Sequence, residues 1–321
     1  MTPNKHHTIS HAWGVVGCGV SLCDGKRKFI KQFFKPKMLY EDMTRRTLPT
    51  EFIGLDLYVC GFPCQPYSRA GSMQGAGDER CAEPLLATVE AIIELMPKSF
   101  ILENVPALKE KFGEVLDHLI KTLRDIKSLD NTTQMYEVHF NILDTNVHGG
   151  LPQSRRRLYM VGIRSDDILV PFRWPEACAP VPLDKILKDE HGSSDDFSRL
   201  SRTKQSNIMK LMDKYSSVDM EADDYIGEIG NSLPYAMKNA CPCLTHSRAG
   251  DHGYWSLRRH RTLTTWEMMK LQGVPRGRFD LWELAVTNRT MGQMAGNAMS
   301  VSILTKITKN IFNSLGIPTK A

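Results

Sequence analysis

The sequence lacks long apolar runs. No window of the 321-residue chain approaches the roughly 18 consecutive apolar residues that a membrane-spanning helix needs. The first 13 residues, MTPNKHHTISHAW, lack the apolar core of a secretion signal. We therefore expect no transmembrane helix, no membrane partner and no secretion. We expect the protein in the cytoplasm if its source is prokaryotic, and in the nucleus if its source is eukaryotic.

The chain also lacks a regular cysteine framework and a strong excess of charge. Its eight cysteines show no repeating spacing, which predicts reduced thiols in the cytosol or nucleus. Cys241 and Cys243 lack a second partner pair at zinc-binding spacing, so we expect no metal site. The net charge of +5 permits a polyanionic partner without requiring one. Arginine rather than lysine dominates the basic clusters, at residues 155–157 and 258–261, which favours recognition of phosphates or base edges over an ordinary solvated face.

Internal repeats and a phosphate-binding loop are absent as well. The glycine-rich stretch 71–77, GSMQGAG, has no strand leading directly into it and no Lys-Ser/Thr pair after it. We interpret it as a mobile lid and not as a phosphate-binding loop.

Strand-like and helix-like patterns alternate through the first half of the chain. Short apolar runs predict buried strands, and longer segments with apolar residues at helical spacing separate them. The strand runs are at 57–60, 99–105, 136–142 and 157–164. This alternation predicts an α/β fold with a mostly parallel sheet.

The composition changes after Arg164. Residues 165–237 are rich in Ser, Asp and Lys and poor in periodic pattern, yet Phe172, Trp174 and Tyr225 need a core in which to pack. We predict a catalytic core at 1–164, a small lobe at 165–255 and a return to the core at 256–321.

The stretch 57–68, LYVCGFPCQPYS, joins the first of these strands to a rigid loop. Pro63 and Pro66 fix the backbone on either side of Cys64 and Gln65. A thiol just past the carboxyl end of a strand lies where an open α/β sheet normally places its chemistry. A lone cysteine is more often buried and inert, but this setting favours a nucleophile.

Other reactive side chains lie at the ends of later strand runs. Glu103 and Asn104 end one run, and residues 153–157, QSRRR, lead into another. A thiol, a carboxyl and paired arginines suit covalent attack on an electron-poor ring whose developing negative charge must be neutralised. A cytosine ring fits this set. The thiolate adds at C6, the carboxyl engages N3, a guanidinium holds O2, and C5 then attacks an electrophilic methyl group.

Together these blocks resemble the cytosine-5 DNA methyltransferase family. The matching blocks are GFPCQPYS at 61–68, ENV at 103–105, PQSRRR at 152–157, RTLTTWEMMKLQGVP at 261–275 and GNAMSV at 296–301. Their order makes the resemblance specific. It implies a Rossmann-like S-adenosylmethionine-dependent methyltransferase fold with a target-recognition lobe. It also implies methylation of cytosine C5 in double-stranded DNA by a monomer.

The resemblance implies a role for each residue of the loop at 63–65. Cys64 matches the catalytic nucleophile, and Pro63 and Gln65 shape its loop. Because a thiol on a pocket loop cannot reach C6 inside a duplex, the target base is expected to be flipped out of its stack. The segment 165–255 occupies the family's target-recognition position.

The residues that would act on the ring follow from the same resemblance. Glu103 matches the carboxyl that activates the ring at N3, with Asn104 in a supporting position. Gln153, Arg155 and Arg157 match the family's glutamine-arginine-arginine set, with Arg157 nearest the base carbonyl.

The implied cofactor is S-adenosylmethionine, bound across the carboxyl ends of the first strands. Asp24 is similar to the family's ribose-binding acid, and Asp42 to the residue that meets the adenine amine. Pro63, Asn297 and Ser300 complete the expected cofactor site.

The start of the sequence departs from the family pattern. The family begins with a Phe-x-Gly-x-Gly loop well before the ribose acid, and residues 1–13 contain none. The glycine-rich stretch 14–19 lies too near Asp24 to be that loop. We expect either a truncated N-terminus or a degenerate loop, which puts cofactor binding and catalysis in doubt.

Two alternative functions stay open. A transfer-RNA cytosine-5 methyltransferase would use the same site. That branch usually carries Cys-Phe-Thr near the end of the lobe, where this chain has Cys243-Leu244-Thr245. A catalytically impaired nucleic-acid-binding homologue would keep the fold without the cofactor loop.

Overall fold

The computed structural model describes most of the chain beyond its first 23 residues. The described residues are 24–62, 79–128, 132–187, 196–219, 222–275, 277 and 286–318, without the side chains of 24, 25, 79–82 and 196. In this part of the chain, no helix has the length and apolar character needed to cross a membrane. The predicted lid at 71–77 and the glycine-rich stretch at 14–19 lie outside the described residues.

Four strands form the central sheet. They are β1 (Tyr58–Gly61), β2 (Ser99–Asn104), β3 (Tyr136–Asp144) and β4 (Arg156–Arg164), in the spatial order β1-β2-β4-β3. β1 and β2 are parallel, whereas β4 pairs antiparallel with both β2 and β3.

The expected fold class is confirmed as α/β, but the described sheet is mixed and not mostly parallel. The connection from β3 to β4 is a single turn of π-helix, Thr145–Gly149, and a short loop. So short a connection returns the chain antiparallel, because parallel neighbours need a crossover such as the helix between β1 and β2.

Helices surround this sheet and continue into the second half of the chain. In order they are α1 (Asp24–Phe34), α2 (Glu79–Leu95), α3 (Ala107–Glu110), α4 (Gly113–Arg124), α5 (Leu183–Ile186), α6 (Asp196–Arg199), α7 (Arg202–Lys214), α8 (His246–Ala249), α9 (Thr265–Leu271), α10 (Asn288–Asn297) and α11 (Val301–Ser314). α11 illustrates how these helices are stabilised by packing on the sheet. Its buried side chains Ile303, Leu304, Ile307 and Ile311 make one apolar stripe, which packs on Ile101 and Val161 of the sheet.

A second, antiparallel sheet lies in the segment predicted as the small lobe. Its strands are β5 (Tyr225–Glu228), β6 (Tyr235–Lys238), β7 (Tyr254–Ser256) and β8 (Arg261–Thr262), in the order β6-β5-β7-β8. α7 covers this sheet, with Ile208 and Leu211 packed in a cluster with Trp255 and Leu257.

The predicted lobe boundaries stay a prediction, and two contacts bear on them. Phe172 and Trp174 contact each other at 5.1 Å between ring centroids and pack in the cluster that contains α11. The start of segment 165–182 therefore lies against the core. At the other boundary, β8 carries the second sheet to Thr262.

The C-terminal helices join the two parts of the fold through a close backbone approach. α10 crosses α8 so tightly that a Cβ atom on Gly292 would lie 2.1 Å from the carbonyl oxygen of Ala249. A Cβ atom on Gly296 would lie 2.4 Å from the backbone of Thr245. Glycine at both positions lets the segment after β6 pack directly on the helix that precedes α11.

Candidate active site

The candidate site lies at one edge of the central sheet. The parallel register pairs Gly61, the last residue of β1, with Glu103 near the end of β2. The antiparallel register pairs Glu103 with Tyr159 of β4, so Arg157 is its diagonal neighbour on the same face. Sheet pairing alone therefore brings together the end of the strand that precedes Cys64, the predicted acid and a predicted arginine.

Glu103 and Arg157 form an ion pair. Oε1 of Glu103 is 3.0 Å from Nε of Arg157, and the two side chains are 13% and 15% exposed. This partial burial strengthens their attraction relative to a surface pair. Enough of each side chain remains accessible for a bound molecule to reach the pair.

The second carboxylate oxygen of Glu103 faces the end of β1. A Cβ atom on Gly61 would lie 3.3 Å from Glu103 Oε2 and 3.6 Å from Cε of Met299. Met299 belongs to the block that the sequence predicts to complete the cofactor site. Glycine is thus needed here for the carboxyl group and the C-terminal block to approach β1.

We expect Gly61→Ala to lower kcat by roughly tenfold, because the added methyl group displaces Glu103 by a few tenths of an ångström. Thermal melting should change little, since the displaced side chains are the ends of flexible groups. Gly113→Ala is the matched control, because a Cβ atom there meets nothing within 4 Å. Steady-state methyl transfer by both variants checks the prediction, and an unchanged kcat for Gly61→Ala would contradict it.

Arg155 is buried, at 2% exposure, and its guanidinium binds backbone carbonyls. Nη1 donates to Leu244 O at 2.6 Å, and Nη2 donates to Gly296 O at 3.2 Å and Ala298 O at 2.6 Å. Burial, and then the charge of Arg157, lower the pKa of Arg155, although an arginine stays protonated. These contacts join the segment after the lobe to the junction of α10 and α11.

Gln153 is fully buried and holds the same returning segment. Its Nε2 donates to Leu271 O at 2.8 Å, and its Oε1 accepts from Leu244 N at 3.2 Å. An isolated parallel bridge pairs it with Cys241. The predicted glutamine-arginine-arginine set thus divides in the structure, because Gln153 and Arg155 bind backbone while Arg157 reaches the carboxylate.

Asn104 connects the acid to the loop that carries the predicted nucleophile. Its Nδ2 donates to Phe62 O at 3.4 Å, and its Oδ1 accepts from Val105 N at 2.8 Å. Phe62 is itself 3% exposed, so the chain is anchored immediately before the loop. Pro63, Cys64 and Gln65 lie outside the described residues.

The predicted cofactor residues lie on three elements. Asp42 precedes a short 3-10 helix, and hydrogen bonds from the backbone and side chain of Thr44 lower the pKa of its carboxyl. Asp24 is the first residue of α1, and its side chain lies outside the described part. Asn297 ends α10 with its side chain exposed, and Ser300 is buried at the start of α11.

S-adenosylmethionine carries a positive sulfonium, an adenine and a ribose, and the donors present suit it. Asp42 stays ionised and its side chain is 40% exposed, so it can accept hydrogen bonds from an adenine amine or a ribose. Met43, the next residue, packs in the same core cluster as Cys60 and Phe62 of the β1 segment.

The structure places Cys243, for which the sequence predicted no role in the site, beside both arginines. Its Sγ accepts hydrogen bonds from Arg155 Nη1 at 3.6 Å and from Arg157 Nη2 at 3.7 Å. Burial raises the pKa of this thiol, but the charges of Arg157 and Arg155 outweigh burial and lower it overall. No signal short of the folded contact could have found it, because the thiol lies 86 residues from its nearer arginine in the sequence.

The chain is similar to proteins of one family over most of its length. Residues 20–313 match the family model for C-5 cytosine-specific DNA methylase. The chain is 30% identical to Type II methyltransferase M.NgoBI of Neisseria gonorrhoeae, over 80% of this chain and 74% of that protein. It is also 30% identical to Type II methyltransferase M.HaeII of Haemophilus aegyptius, over 85% of this chain and 78% of that protein.

Solved structures show the same fold. The Entamoeba histolytica methyltransferase EhMeth aligns with a TM-score of 0.60 at 16% identity, covering 92% of this chain and 89% of that one. The S. pombe Dnmt2 methyltransferase aligns with a TM-score of 0.57 at 15% identity, covering 92% of this chain and 90% of that one. At these identities the likeness supports the methyltransferase fold alone.

Proposed function

The chain belongs to the C-5 cytosine-specific DNA methylase family, and from this premise we propose a mechanism in which Cys64 bonds covalently to C6 of a flipped cytosine in DNA. The observation that carries the proposal is the Glu103–Arg157 ion pair, 3.0 Å long, at the sheet edge where β1 ends before the Cys64 loop. A carboxyl and a guanidinium at that place can neutralise charge that develops on a ring held against them.

Each residue has one task in the proposed step. The thiolate of Cys64 forms a bond to C6, and the carboxyl of Glu103, in its protonated form, donates a hydrogen bond to N3 as electron density moves into the ring. Arg157 faces the O2 side and stabilises negative charge there. C5 becomes nucleophilic and is methylated. A solvent water molecule then takes the C5 proton, the electron pair of that C–H bond restores the C5–C6 double bond, and the C6–sulfur bond breaks to return the thiolate.

S-adenosylmethionine would supply the electrophilic methyl group. Asp42, Asn297 and Ser300 would bind it, with Asp24 and Pro63 as further candidates from the sequence. Met299 adds a physical link, because it belongs to the C-terminal block and its Cε would lie 3.6 Å from a Cβ atom on Gly61 at the end of β1. The donor and the target base would therefore meet at the same sheet edge.

Arg155 has a different task in this proposal. With Nη1 and Nη2 hydrogen-bonded to Leu244, Gly296 and Ala298, it would hold the segment after the lobe against the α10–α11 junction. Arg155 would therefore position the base pocket relative to the cofactor block without contacting the base.

The second sheet would recognise the target sequence on the duplex.

We expect methyl transfer to duplex DNA and not to transfer RNA. The measurement incubates the protein with S-adenosylmethionine that carries a labelled methyl group, and digests each nucleic acid to nucleosides. Label should appear as 5-methylcytosine from DNA. A matched duplex with 5-methylcytosine at every cytosine is the control and should take up no label, because C5 is already substituted. Label in transfer RNA alone would reject DNA as the substrate, and label in neither would favour the catalytically impaired homologue.

A further inference from the structure

The sulfur of Cys243 lies between the two guanidinium groups of the candidate site. Arg155 Nη1 approaches it at 3.6 Å and Arg157 Nη2 at 3.7 Å, within the range of hydrogen bonds to sulfur. The side chain is partly buried. The thiol of Cys243 thus contacts Arg157, the arginine that is paired with Glu103, although the proposed chemistry gives this thiol no role.

The backbone around Cys243 fixes the position of that sulfur. Tyr254 donates its hydroxyl to Cys243 O at 2.8 Å, and Gln153 Oε1 accepts from the next amide, Leu244 N, at 3.2 Å. Two residues earlier, Cys241 O accepts from Ser154 N at 2.9 Å. The segment is thus tied to residues just before β4, so the backbone that carries the sulfur is held independently of Arg157.

Arg157 is held along two edges of its guanidinium. Nε faces Glu103 Oε1 at 3.0 Å, Nη1 donates to the carbonyl of Arg156 at 2.7 Å, and Nη2 donates to Cys243. Because the guanidinium is planar, acceptors on separate edges fix its plane as well as its position. Loss of the sulfur would remove the acceptor at Nη2 and loosen that edge of the guanidinium.

We infer that Cys243 is a positioning residue for the methyl-transfer reaction, whose sulfur holds the guanidinium of Arg157 in the plane that faces the target base. This inference rests on the proposed function. A thiolate accepts hydrogen bonds more strongly than a thiol, and the pKa of Cys243 is lowered by Arg157 and Arg155 in spite of its burial. The other titratable groups that face it are Cys241, Tyr235 and Tyr254.

We expect Cys243→Ala to lower kcat for DNA roughly tenfold while the KM for DNA stays within about twofold, since the lost contact acts on the transition state. Cys243→Ser keeps an acceptor and should recover part of the rate. Cys178→Ser is the matched control, because that thiol contacts His148 and Lys306 away from the site. Wild-type kcat in Cys243→Ala would overturn the inference.

A second measurement does not depend on activity. Alkylation of Cys243 by iodoacetamide is followed by mass spectrometry against pH in the Cys64→Ala protein. Arg157→Met should move the alkylation profile upward by about 1 pH unit, because it removes a charge that favours the thiolate. Arg156→Met is the control and should not move it, since Arg156 is an exposed residue paired with Glu110.

The methyl-transfer assay and the alkylation profile together distinguish a failure of the proposed function from a failure of the inference about Cys243. If wild-type protein methylates no DNA, the proposed function fails, and the alkylation profiles still show whether the sulfur and Arg157 interact. If DNA is methylated but the Arg157→Met and Arg156→Met profiles coincide, the inference about Cys243 fails alone. Thermal melting identifies any variant that does not fold, and Arg157→Gln, which also removes the charge, then replaces Arg157→Met with the same expected shift.

Discussion

Replacing Cys64 by alanine is expected to abolish methyl transfer, lowering kcat by about 10⁴-fold or more. C5 of cytosine is a poor nucleophile until a group adds at C6, so without the thiolate the ring does not attack the methyl donor. The effect should lie in kcat and not in DNA binding, because the alanine removes a bond that forms only during the reaction. Labelled methyl transfer and a DNA-binding titration on the same preparation measure both.

The matched control and a trapping experiment make the result specific. Cys178→Ala removes a different thiol, which is partly buried and hydrogen-bonded to Lys306, and should keep wild-type activity. Duplex DNA with 5-fluorocytosine cannot lose the substituent at C5, so it should capture wild-type protein as a covalent complex and leave Cys64→Ala uncaptured. A complex that forms equally well with both proteins would place the nucleophile on another residue.

The sequence predicted the partners of the ion pair because strand ends and strand periodicity are local properties. Glu103 ends an apolar run, and the alternation of an extended chain places Arg155 and Arg157 on one side and Arg156 on the other. The structure agrees, with Arg156 55% exposed and paired with Glu110. The order of the motifs along the chain and their resemblance to the methyltransferase family then indicated the reaction.

What the sequence could not predict depends on contacts between distant segments. Arg155 and Arg157 are both arginines, two positions apart, so the sequence does not distinguish them. Only the hydrogen bonds to the carbonyls of residues 244, 296 and 298 show that Arg155 binds backbone in the folded protein. Cys243 needs the same long-range contacts. The sequence predicted a mostly parallel sheet and did not predict that β4 lies antiparallel beside β2. Alternating apolar residues predict a strand but carry no information on its direction.

Glu103→Gln is expected to lower kcat by about 10²- to 10³-fold, the second largest effect we predict. Glutamine keeps the size of the side chain but removes its charge and its ability to hold or share a proton at N3. Arg157 would also lose its 3.0 Å carboxylate contact in a largely buried setting, which should lower the free energy of unfolding by about 1 to 3 kcal/mol. Glu110→Gln is the matched control, because it breaks an equally short pair between exposed side chains and should change neither quantity.

The coupling between Glu103 and Arg157 can be measured by a double-mutant cycle. If the two side chains act as a unit on the ring, Arg157→Met should lower kcat much less in the Glu103→Gln protein than in the wild type, because the first substitution has already disrupted the pair. Fully additive losses in log kcat would contradict a joint action and leave two independent residues. Single-turnover rates at saturating DNA are the right measurement, since they exclude product release. Coupling in the rate but not in the melting temperature would assign the ion pair to transition-state stabilisation, because its strength would then matter only when charge develops on the ring.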